Sequence, residues 1–340
     1  MASGVATLRA ARTLLGVTGL AVLAIPVQSA PLAAQVLRQI KTISLPGVQC
    51  RIDHMALDAN GQRLFLVALG NNTVEVIDLR AGRRIRSLTG FSEPQGVGFV
   101  ASPPRLFVAD VGDGSVSMLD AISLKRLKQI PLADDADNVR VDAAAQRVYV
   151  GFGNGGLATL DAATGDVLGR VILPAHPESF QLAGEGPRVF VNVPGSGEVA
   201  AIDRTKGVVV AHWPLGDAQA NFPMGLDPAG NRLFIGCRRP AEVLVLDATS
   251  GKQLGELAIA GDTDDLFFDV HTSRLFASCG AGFLDVIDAP AAGALHEVGR
   301  IPTAAGARTS LFDAASRRLF LAVPHRGAQA AEVRIFAVAQ

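Results

Sequence analysis

The sequence contains little cysteine, tyrosine or tryptophan. Only three cysteines occur among 340 residues, and the chain has one tryptophan and one tyrosine. Such a small and odd number of cysteines excludes a disulfide framework and leaves at least one thiol unpaired. The stability of the fold must therefore come from a large apolar core, and 49% of the residues are hydrophobic.

Several catalytic and cofactor motifs are also absent. The chain has no Cys-x-x-Cys-His, Gly-x-Ser-x-Gly, His-Glu-x-x-His or P-loop sequence. These absences argue against covalently attached haem, the nucleophile of an α/β-hydrolase, a zinc-peptidase site and P-loop nucleotide binding. The sequence leaves the cofactor unknown, with a divalent cation as an open alternative.

Neither sign of charge predominates in the chain. Lysine and arginine number 31, aspartate and glutamate number 32, and no basic run stands out. Nucleic-acid binding needs a surface that neutralises phosphates. We therefore expect no nucleic-acid partner.

The first thirty-four residues differ in composition from the rest. Arg9 and Arg12 precede an uncharged, mostly apolar run from Leu14 to Val27 that ends at small residues. This arrangement is typical of a secretory signal peptide, and the run is shorter than the roughly 20 helical residues that span a bilayer. We expect cleavage near residues 29–34, no membrane insertion afterwards, and a periplasmic or secreted mature domain of residues 35–340.

An internal repeat of about forty-two residues runs through this mature domain. Each copy contains an arginine followed by an apolar and an aromatic residue, at spacings of 42, 42, 41, 44, 42 and 44 residues. These arginines are Arg63, Arg105, Arg147, Arg188, Arg232, Arg274 and Arg318. An apolar residue followed by aspartate recurs after the first six, at Asp78, Asp120, Asp161, Asp203, Asp247 and Asp288. Seven copies with two markers at near-constant offsets indicate a repeat protein.

Each copy is predicted to form short antiparallel strands separated by tight turns. In the first copy, the strands are expected over Met55 to Leu57, Leu64 to Val67 and Val74 to Ile77. An Asp-x-x-x-Gly turn follows, in which the Asp side chain accepts from backbone N–H groups and Gly takes the positive φ. The last copy ends after its third strand, Val333 to Val338, while an orphan strand, Ile40 to Leu45, precedes the first copy. We therefore predict an all-β, seven-bladed β-propeller with four antiparallel strands per blade, closed by the N-terminal strand.

These repeats resemble the YVTN-repeat propellers, the YncE-like family. The Arg-Leu-Phe-Val/Tyr-Val strand, the Asp-x-x-x-Gly turn and the period carry the resemblance, which covers residues 38–340. The resemblance implies the propeller fold and an exported bacterial setting, but no single reaction, because related propellers include lactonases and electron-transfer domains. Since Trp213 is the only tryptophan, the repeated tryptophan motifs of quinoprotein propellers are missing, and we expect no quinone bound in that manner.

Polar residues recur where each copy begins its first strand. In a propeller these loops, together with those between the second and third strands, surround one end of the central channel. The predicted ligand-binding residues are Arg51, Asp53, His54, Gln95, Asp137, Asn138, Arg140, His176, Glu178, Asn221, Asp264, Asp265, Arg308, His325 and Arg326. Blade packing needs only the apolar positions, which favours a ligand site at this channel end. Solvated polar turns are the alternative interpretation.

Three residues at this channel end are candidates for a catalytic role, namely His54, His176 and Arg308. Carboxylates that face one cavity repel unless a proton, an arginine or a cation lies between them. Arg51, Arg140 and Arg308 are suited to that compensation. The Asp, Glu, His and Asn side chains also suit Ca²⁺, Mg²⁺ or Zn²⁺, although no compact ligand spacing specifies a metal.

Three functions are compatible with the sequence. The leading prediction is a protein that binds a small, anionic ligand at the polar mouth of the channel. The first alternative is a hydrolase or lyase, lactonase-like, that uses a His/carboxylate pair at the same mouth. The second is a protein-interaction scaffold, which a large exposed apolar surface would favour. The expected partner is accordingly a small molecule or a protein.

Overall fold

The computed structural model describes residues 1–6, 36–184, 186–291 and 294–339. The arginines and the apolar run of the predicted signal peptide lie outside these described residues. Within them, no helix is long and apolar enough to cross a membrane. From residue 36 onward the described chain forms 28 β-strands and two 3₁₀ helices, Leu69–Asn71 and Pro194–Ser196.

The strands form seven sheets, each of four antiparallel strands. Blade 1 contains β2 (Met55–Asp58), β3 (Arg63–Ala68), β4 (Thr73–Asp78) and β5 (Arg83–Leu88), and blade 2 contains β6 (Pro94–Ala101), β7 (Pro104–Asp110), β8 (Ser115–Asp120) and β9 (Arg126–Pro131). Blade 3 contains β10 (Val139–Asp142), β11 (Arg147–Phe152), β12 (Gly156–Asp161) and β13 (Val167–Ile172). Blade 4 contains β14 (Phe180–Leu182), β15 (Arg188–Val193), β16 (Glu198–Asp203) and β17 (Val208–Pro214).

The remaining three blades follow the same pattern. Blade 5 contains β18 (Gln219–Asp227), β19 (Arg232–Arg239), β20 (Ala241–Asp247) and β21 (Gln253–Ala258). Blade 6 contains β22 (Thr263–Asp269), β23 (Arg274–Cys279), β24 (Phe283–Asp288) and β25 (His296–Pro302). Blade 7 contains β26 (Ser310–Asp313), β27 (Arg318–Val323) and β28 (Glu332–Val338), and its fourth strand is β1 (Leu37–Ser44). The protein is therefore the predicted seven-bladed β-propeller.

The N-terminal strand β1 closes the ring by pairing with β28. The register runs antiparallel from Leu37 opposite Val338 to Ser44 opposite Glu332. The strand begins three residues earlier than the predicted Ile40, because the side chain of Leu37 is only 1% exposed and packs in the apolar cluster between blades 6 and 7. The segment that blade 7 requires therefore starts near residue 36.

Seven apolar clusters fill the seven interfaces between neighbouring blades. The aromatic residue of each repeat lies in the second strand of its blade and is at most 5% exposed: Phe65, Phe107, Tyr149, Phe190, Phe234, Phe276 and Phe320. Burial of aromatic side chains of this size stabilises the folded state by about 1.5–3 kcal/mol each. The repeated motif thus supplies the large side chains of the core.

In blades 1, 4 and 5 the repeated arginine connects its blade to the next one. In blade 5, Arg232 donates to Asp227 Oδ2 through Nε and Nη2, at 3.0 and 2.8 Å. It also donates to the carbonyls of Ala289 and Pro290 in blade 6, at 2.9 and 2.6 Å. Arg63 makes the same connection from blade 1 to the carbonyl of Ala121 in blade 2. In blades 2, 3 and 6 the repeated arginine instead pairs with the aspartate that ends the third strand of its own blade, so the motif has a structural role in both cases.

The Asp-x-x-x-Gly turns have the predicted geometry. In blade 1, Ala81 N–H donates to Asp78 Oδ1 at 2.8 Å, and Gly82 N–H donates to the Asp78 carbonyl at 2.8 Å. Gly82 has a φ of 66°, in the left-handed region where glycine is favoured. These turns join the third strand to the fourth and lie away from the channel.

Candidate functional site

The innermost strands of the blades bring polar residues together at one end of the channel. Neighbouring blades are linked there, since His54 N–H donates to the Gln95 carbonyl and Ser179 N–H to the Phe222 carbonyl, both at 3.3 Å. The channel mouth is a cavity of about 250 Å³. Its lining consists of Arg51, Asp53, His54, Gln95, Asp135, Asp137, His176, Glu178, Phe222, Arg238, Asp264 and Arg308.

Most of the predicted ligand-binding residues lie in this lining. The structure brings together Arg51, Asp53, His54, Gln95, Asp137, His176, Glu178, Asp264 and Arg308. All three candidates for a catalytic role are among them. The lining also contains three residues outside the prediction, Asp135, Phe222 and Arg238.

One side of the mouth carries three arginines, each paired with an aspartate. Arg51 Nη2 lies 2.6 Å from Asp53 Oδ2. The carboxylate of Asp264 lies between two guanidinium groups, with Oδ1 2.6 Å from Arg238 Nη2 and Oδ2 2.9 Å from Arg308 Nε. Burial raises the pKa of Asp53 and of Asp264 despite these arginines. This side of the mouth is called the arginine side below.

Three further contacts fix Arg238 and Arg308 in place. The guanidinium carbon of Arg238 lies 3.8 Å from the ring centroid of Phe222, and its Nε donates to the Thr263 carbonyl at 2.8 Å. Arg308 Nη1 donates to Asp262 Oδ1 at 2.9 Å. Burial works against the charge of Arg308, but the carboxylates of Asp264 and Asp262 outweigh it and raise its pKa. Arg238 is therefore oriented by stacking and hydrogen bonding, and Arg308 by hydrogen bonds to carboxylates.

The opposite side of the mouth carries two carboxyl groups and a histidine close together. Donor atoms of Asp137, His176 and Glu178 lie within 4.8 Å of one another. Among the described residues, no cationic side chain forms an ion pair with Asp137 or Glu178 within 4.0 Å. Burial raises the pKa of both carboxyl groups well above the ordinary range. The Asp53 carboxylate raises the pKa of Asp137 further, and the Asp137 carboxylate raises that of Glu178. These three residues are called the acidic side below.

The imidazole of His176 has a defined orientation. Its Nδ1 lies 2.7 Å from the carbonyl oxygen of Gly153 and 3.3 Å from Asp135 Oδ2. A carbonyl oxygen only accepts hydrogen bonds, so Nδ1 carries the proton and Nε2 keeps its lone pair in the neutral ring. Nε2 is therefore the nitrogen that can act as a base or bind a metal.

His54 lies between two carboxyl groups but is held neutral. Its Nε2 is 3.8 Å from Asp53 Oδ1, and its Nδ1 is 3.8 Å from Asp265 Oδ2. Burial, together with the positive charge of Arg140, lowers the pKa of His54 to about 4. A base with such a low pKa is weak at neutral pH, because general bases act best with a pKa near the operating pH.

Arg140 and Asp265 lie deeper in the channel than predicted. They line a second cavity of about 340 Å³ below the mouth, whose lining also contains His54. Arg140 Nη2 donates to Ser179 Oγ at 3.1 Å, and burial lowers the pKa of the guanidinium. Asp265 Oδ2 accepts from Ser310 N–H at 2.7 Å, and burial raises the pKa of this carboxyl well above its usual value.

Four predicted residues contribute to neither cavity lining. Asn138 is 2% exposed, and Asn221 Nδ2 donates to the Glu198 carbonyl at 3.0 Å, which ties blade 5 to blade 4. The prediction also brought His325 and Arg326 close to the Arg51–His54 segment. The loop after β27 instead turns back on itself through paired hydrogen bonds between Arg326 and Gln329, and Arg326 is exposed outside the mouth.

The sequence does contain a signal for the residues that the prediction missed. Arg238 stands six positions after the repeated arginine of its blade, where the other copies have Leu, Val, Gly, Pro, Gly and Pro. A charged residue at a position that is otherwise apolar or a turn residue departs from the repeat. Asp135 occupies the repeat position of Arg51 and His176, twelve residues before the repeated arginine.

A larger hollow of about 600 Å³ lies at the other end of blades 4 and 5. Among the residues that the structure describes, its lining is largely Ala, Gly, Pro, Phe and Leu, and Arg188 is the one charged residue there. The guanidinium of Arg188 already donates to the carbonyls of Ala248 and Thr249. The mouth, with its converging charged groups, is therefore the candidate site despite its smaller volume.

Comparison with known structures supports the fold alone. The chain superimposes with a TM-score of 0.76 on a chain from the crystal structure of the mitotic checkpoint complex, at 14% identity over 97% of this chain and 99% of that one. It superimposes with a TM-score of 0.70 on Kuenenia stuttgartiensis hydrazine synthase, at 14% identity over 82% of this chain and 95% of that one. No model of a known protein family and no curated protein matches the sequence. At this level of identity the shared feature is the β-propeller, a fold that supports many unrelated activities.

Proposed function

We propose that this protein binds a small, anionic molecule at the mouth of the propeller channel. The observation that carries the proposal is the convergence of three guanidinium groups, those of Arg51, Arg238 and Arg308, on one polar cavity of about 250 Å³. A cavity of this size is below the usual range for drug-sized ligands, so the ligand is a small acid.

Free hydrogen-bond donors on the arginines support an anionic ligand. Each guanidinium has five N–H donors. Arg238 uses Nε and Nη2 on Thr263 and Asp264, while Arg308 uses Nη1 and Nε on Asp262 and Asp264. Among the contacts of the described residues, Nη1 of Arg238 and Nη2 of Arg308 have no protein acceptor. These donors suit the planar oxygen pair of a carboxylate.

We also propose that the protein is an exported member of the YncE-like propellers and acts in the periplasm or outside the cell. The support for this proposal is in the sequence, namely the basic residues and apolar run before residue 28 and the YVTN-like repeats. In this setting a small acid would reach the mouth directly from the surrounding solution.

A hydrolytic or lyase activity is a second proposal for the same mouth. His54 is a poor base because its pKa is lowered to about 4. The observation that favours catalysis is the cluster of Asp137 and Glu178 with the imidazole of His176, whose ligand atoms lie within 4.8 Å of one another. Burial raises the pKa of both carboxyl groups well above the ordinary range, which suits a proton-transfer role.

Thermal denaturation with small anions tests the binding proposal. Succinate, citrate and inorganic phosphate are added in increasing concentration to wild type, to Arg238→Gln and to Arg326→Gln. We expect at least one anion to raise the melting temperature of wild type and of Arg326→Gln, whose substituted residue lies outside the mouth. Arg238→Gln should bind about tenfold or more weakly, because a hydrogen bond to a charged group contributes about 1.5–3 kcal/mol.

The opposite results would contradict the proposal. An anion that stabilises Arg238→Gln as strongly as wild type binds elsewhere, and a wild type that responds to none of the three anions has no such site. Turnover of a simple lactone by wild type, lost in Glu178→Gln, would identify the enzyme instead.

A further inference from the structure

We propose that Asp137, His176 and Glu178 bind one zinc ion on the acidic side of the mouth, with a coordination position open to the channel. Asp137 lies two residues before β10 of blade 3. His176 and Glu178 lie shortly before β14 of blade 4. The site therefore joins two neighbouring blades. It does not depend on the proposed anionic ligand, which the arginine side would hold.

The geometry of the three donors suits a single ion. One ligand atom from each residue lies within 4.8 Å of the ligand atoms of the other two. Zinc binds carboxylate oxygen and histidine nitrogen at about 2.0–2.2 Å, so two donors of one ion lie at most about 4.4 Å apart. Small side-chain movements are enough to bring all three donors within reach of one ion.

A buried oxygen atom of Asp137 without a hydrogen-bond partner is a second, independent observation that favours a bound cation. Asp137 is only 7% exposed, it lines the cavity, and its Oδ1 has no hydrogen-bond partner among the described residues. A buried carboxylate oxygen without a donor is unfavourable, and native proteins rarely contain one without a reason. A bound cation would supply the missing partner.

The tautomer of His176 is the one that a metal ligand needs. Its Nδ1 donates to the Gly153 carbonyl at 2.7 Å and has Asp135 Oδ2 at 3.3 Å. Metal-binding histidines usually donate their second ring nitrogen to a carbonyl or carboxylate, which fixes the ring and leaves the other nitrogen for the ion. Gly153 and Asp135 provide that support here.

The mixed donor set favours zinc over calcium and magnesium. Ca²⁺ and Mg²⁺ prefer oxygen ligands only, whereas zinc accepts imidazole together with carboxylates. Zinc sites with three protein ligands keep a fourth position for water or substrate. The two positive charges of the ion would balance the two carboxylates that lack an arginine partner.

Zinc titration of the chelator-treated protein tests this inference. Isothermal titration with ZnCl₂, and metal analysis after dialysis, should show one ion per chain in wild type. Asp137→Asn and His176→Gln should each weaken zinc binding at least tenfold. The matched control is His212→Gln. His212 also lies beside a glutamate, with Nδ1 2.7 Å from Glu198 Oε1, but it is on an outer strand away from the mouth. The His212→Gln variant should therefore bind zinc as wild type does.

Folding of the variants is checked separately. Asp137→Asn removes a buried charge but keeps the side-chain shape, so without zinc it should melt at or above the temperature of wild type. Added zinc should raise the melting temperature of wild type and leave that of Asp137→Asn unchanged. Absence of zinc binding by wild type, wild-type zinc affinity in Asp137→Asn and His176→Gln, or displacement of zinc by an equal concentration of Ca²⁺ or Mg²⁺ would overturn the inference.

Discussion

Replacement of His54 by glutamine should remove a specific part of the acid sensitivity of the fold. Burial and nearby arginines lower the pKa of His54 from 6.5 to about 4 in the folded protein. Between these two values the unfolded chain binds a proton at this residue and the folded protein does not. Stability therefore falls as the pH decreases from 6.5 to about 4, because stability increases with pH wherever the unfolded state binds more protons.

The size of this effect follows from the two pKa values. Each pKa unit corresponds to about 1.4 kcal/mol, so His54 destabilises the fold by roughly 3 kcal/mol once the pH is below about 4. Between pH 7 and pH 4.5 the loss amounts to about 2 kcal/mol. The side chain is 16% exposed, so solvent screens it little.

Urea denaturation at pH 7 and at pH 4.5 measures the effect in wild type and His54→Gln. The free energy of unfolding should decrease by about 2 kcal/mol less in the variant than in wild type over this interval. Contributions from the buried carboxyl groups occur in both proteins and largely cancel in the comparison. His296→Gln, with an exposed histidine, is the control and should behave as wild type. Equal pH dependence in wild type and His54→Gln would refute the reasoning.

Three further predictions concern stability and reactivity. Arg232→Ala should lower the free energy of unfolding by about 3–5 kcal/mol, because it leaves the buried Asp227 without its partner. Arg147→Ala should lower it by less than about 1 kcal/mol, because the ion pair of Arg147 is partly exposed. Equal losses in urea titrations of the two variants would contradict this prediction. A thiol reagent at pH 8 should modify only Cys50 in the native protein, because burial raises the pKa of each of the other two thiols to about 12; fast modification of three thiols would show that the blades open. Deletion of residues 1–35 should leave the melting temperature unchanged and deletion of residues 1–45 should lower it strongly, because the latter removes β1 from blade 7; equal melting temperatures would mean that β1 does not close the ring.

Much of the architecture could be predicted because each repeat forms the same strands and turns. The repeated arginine and aromatic residues mark the second strand of every blade, and each aromatic side chain is buried in the structure. Asp53, Asp137 and Glu178 each lie ten residues before the repeated arginine of their copy, and this shared position predicted the channel mouth, where the structure has them. Local hydrogen-bonding rules were sufficient for the Asp-x-x-x-Gly turns, as Gly82 shows.

The sequence by itself determined the number of blades, the strand order and the polar end of the channel, because these depend on periodicity and local turn chemistry. Only the tertiary structure decided which charged groups meet. The pairing of Asp264 with both Arg238 and Arg308 depends on distances across the channel between residues of different blades. The same distances leave Asp137 without such a partner among the described residues. Repeat position places a residue at the mouth, but the direction of its side chain, and therefore its partner and its pKa, follow from the packing of the whole ring.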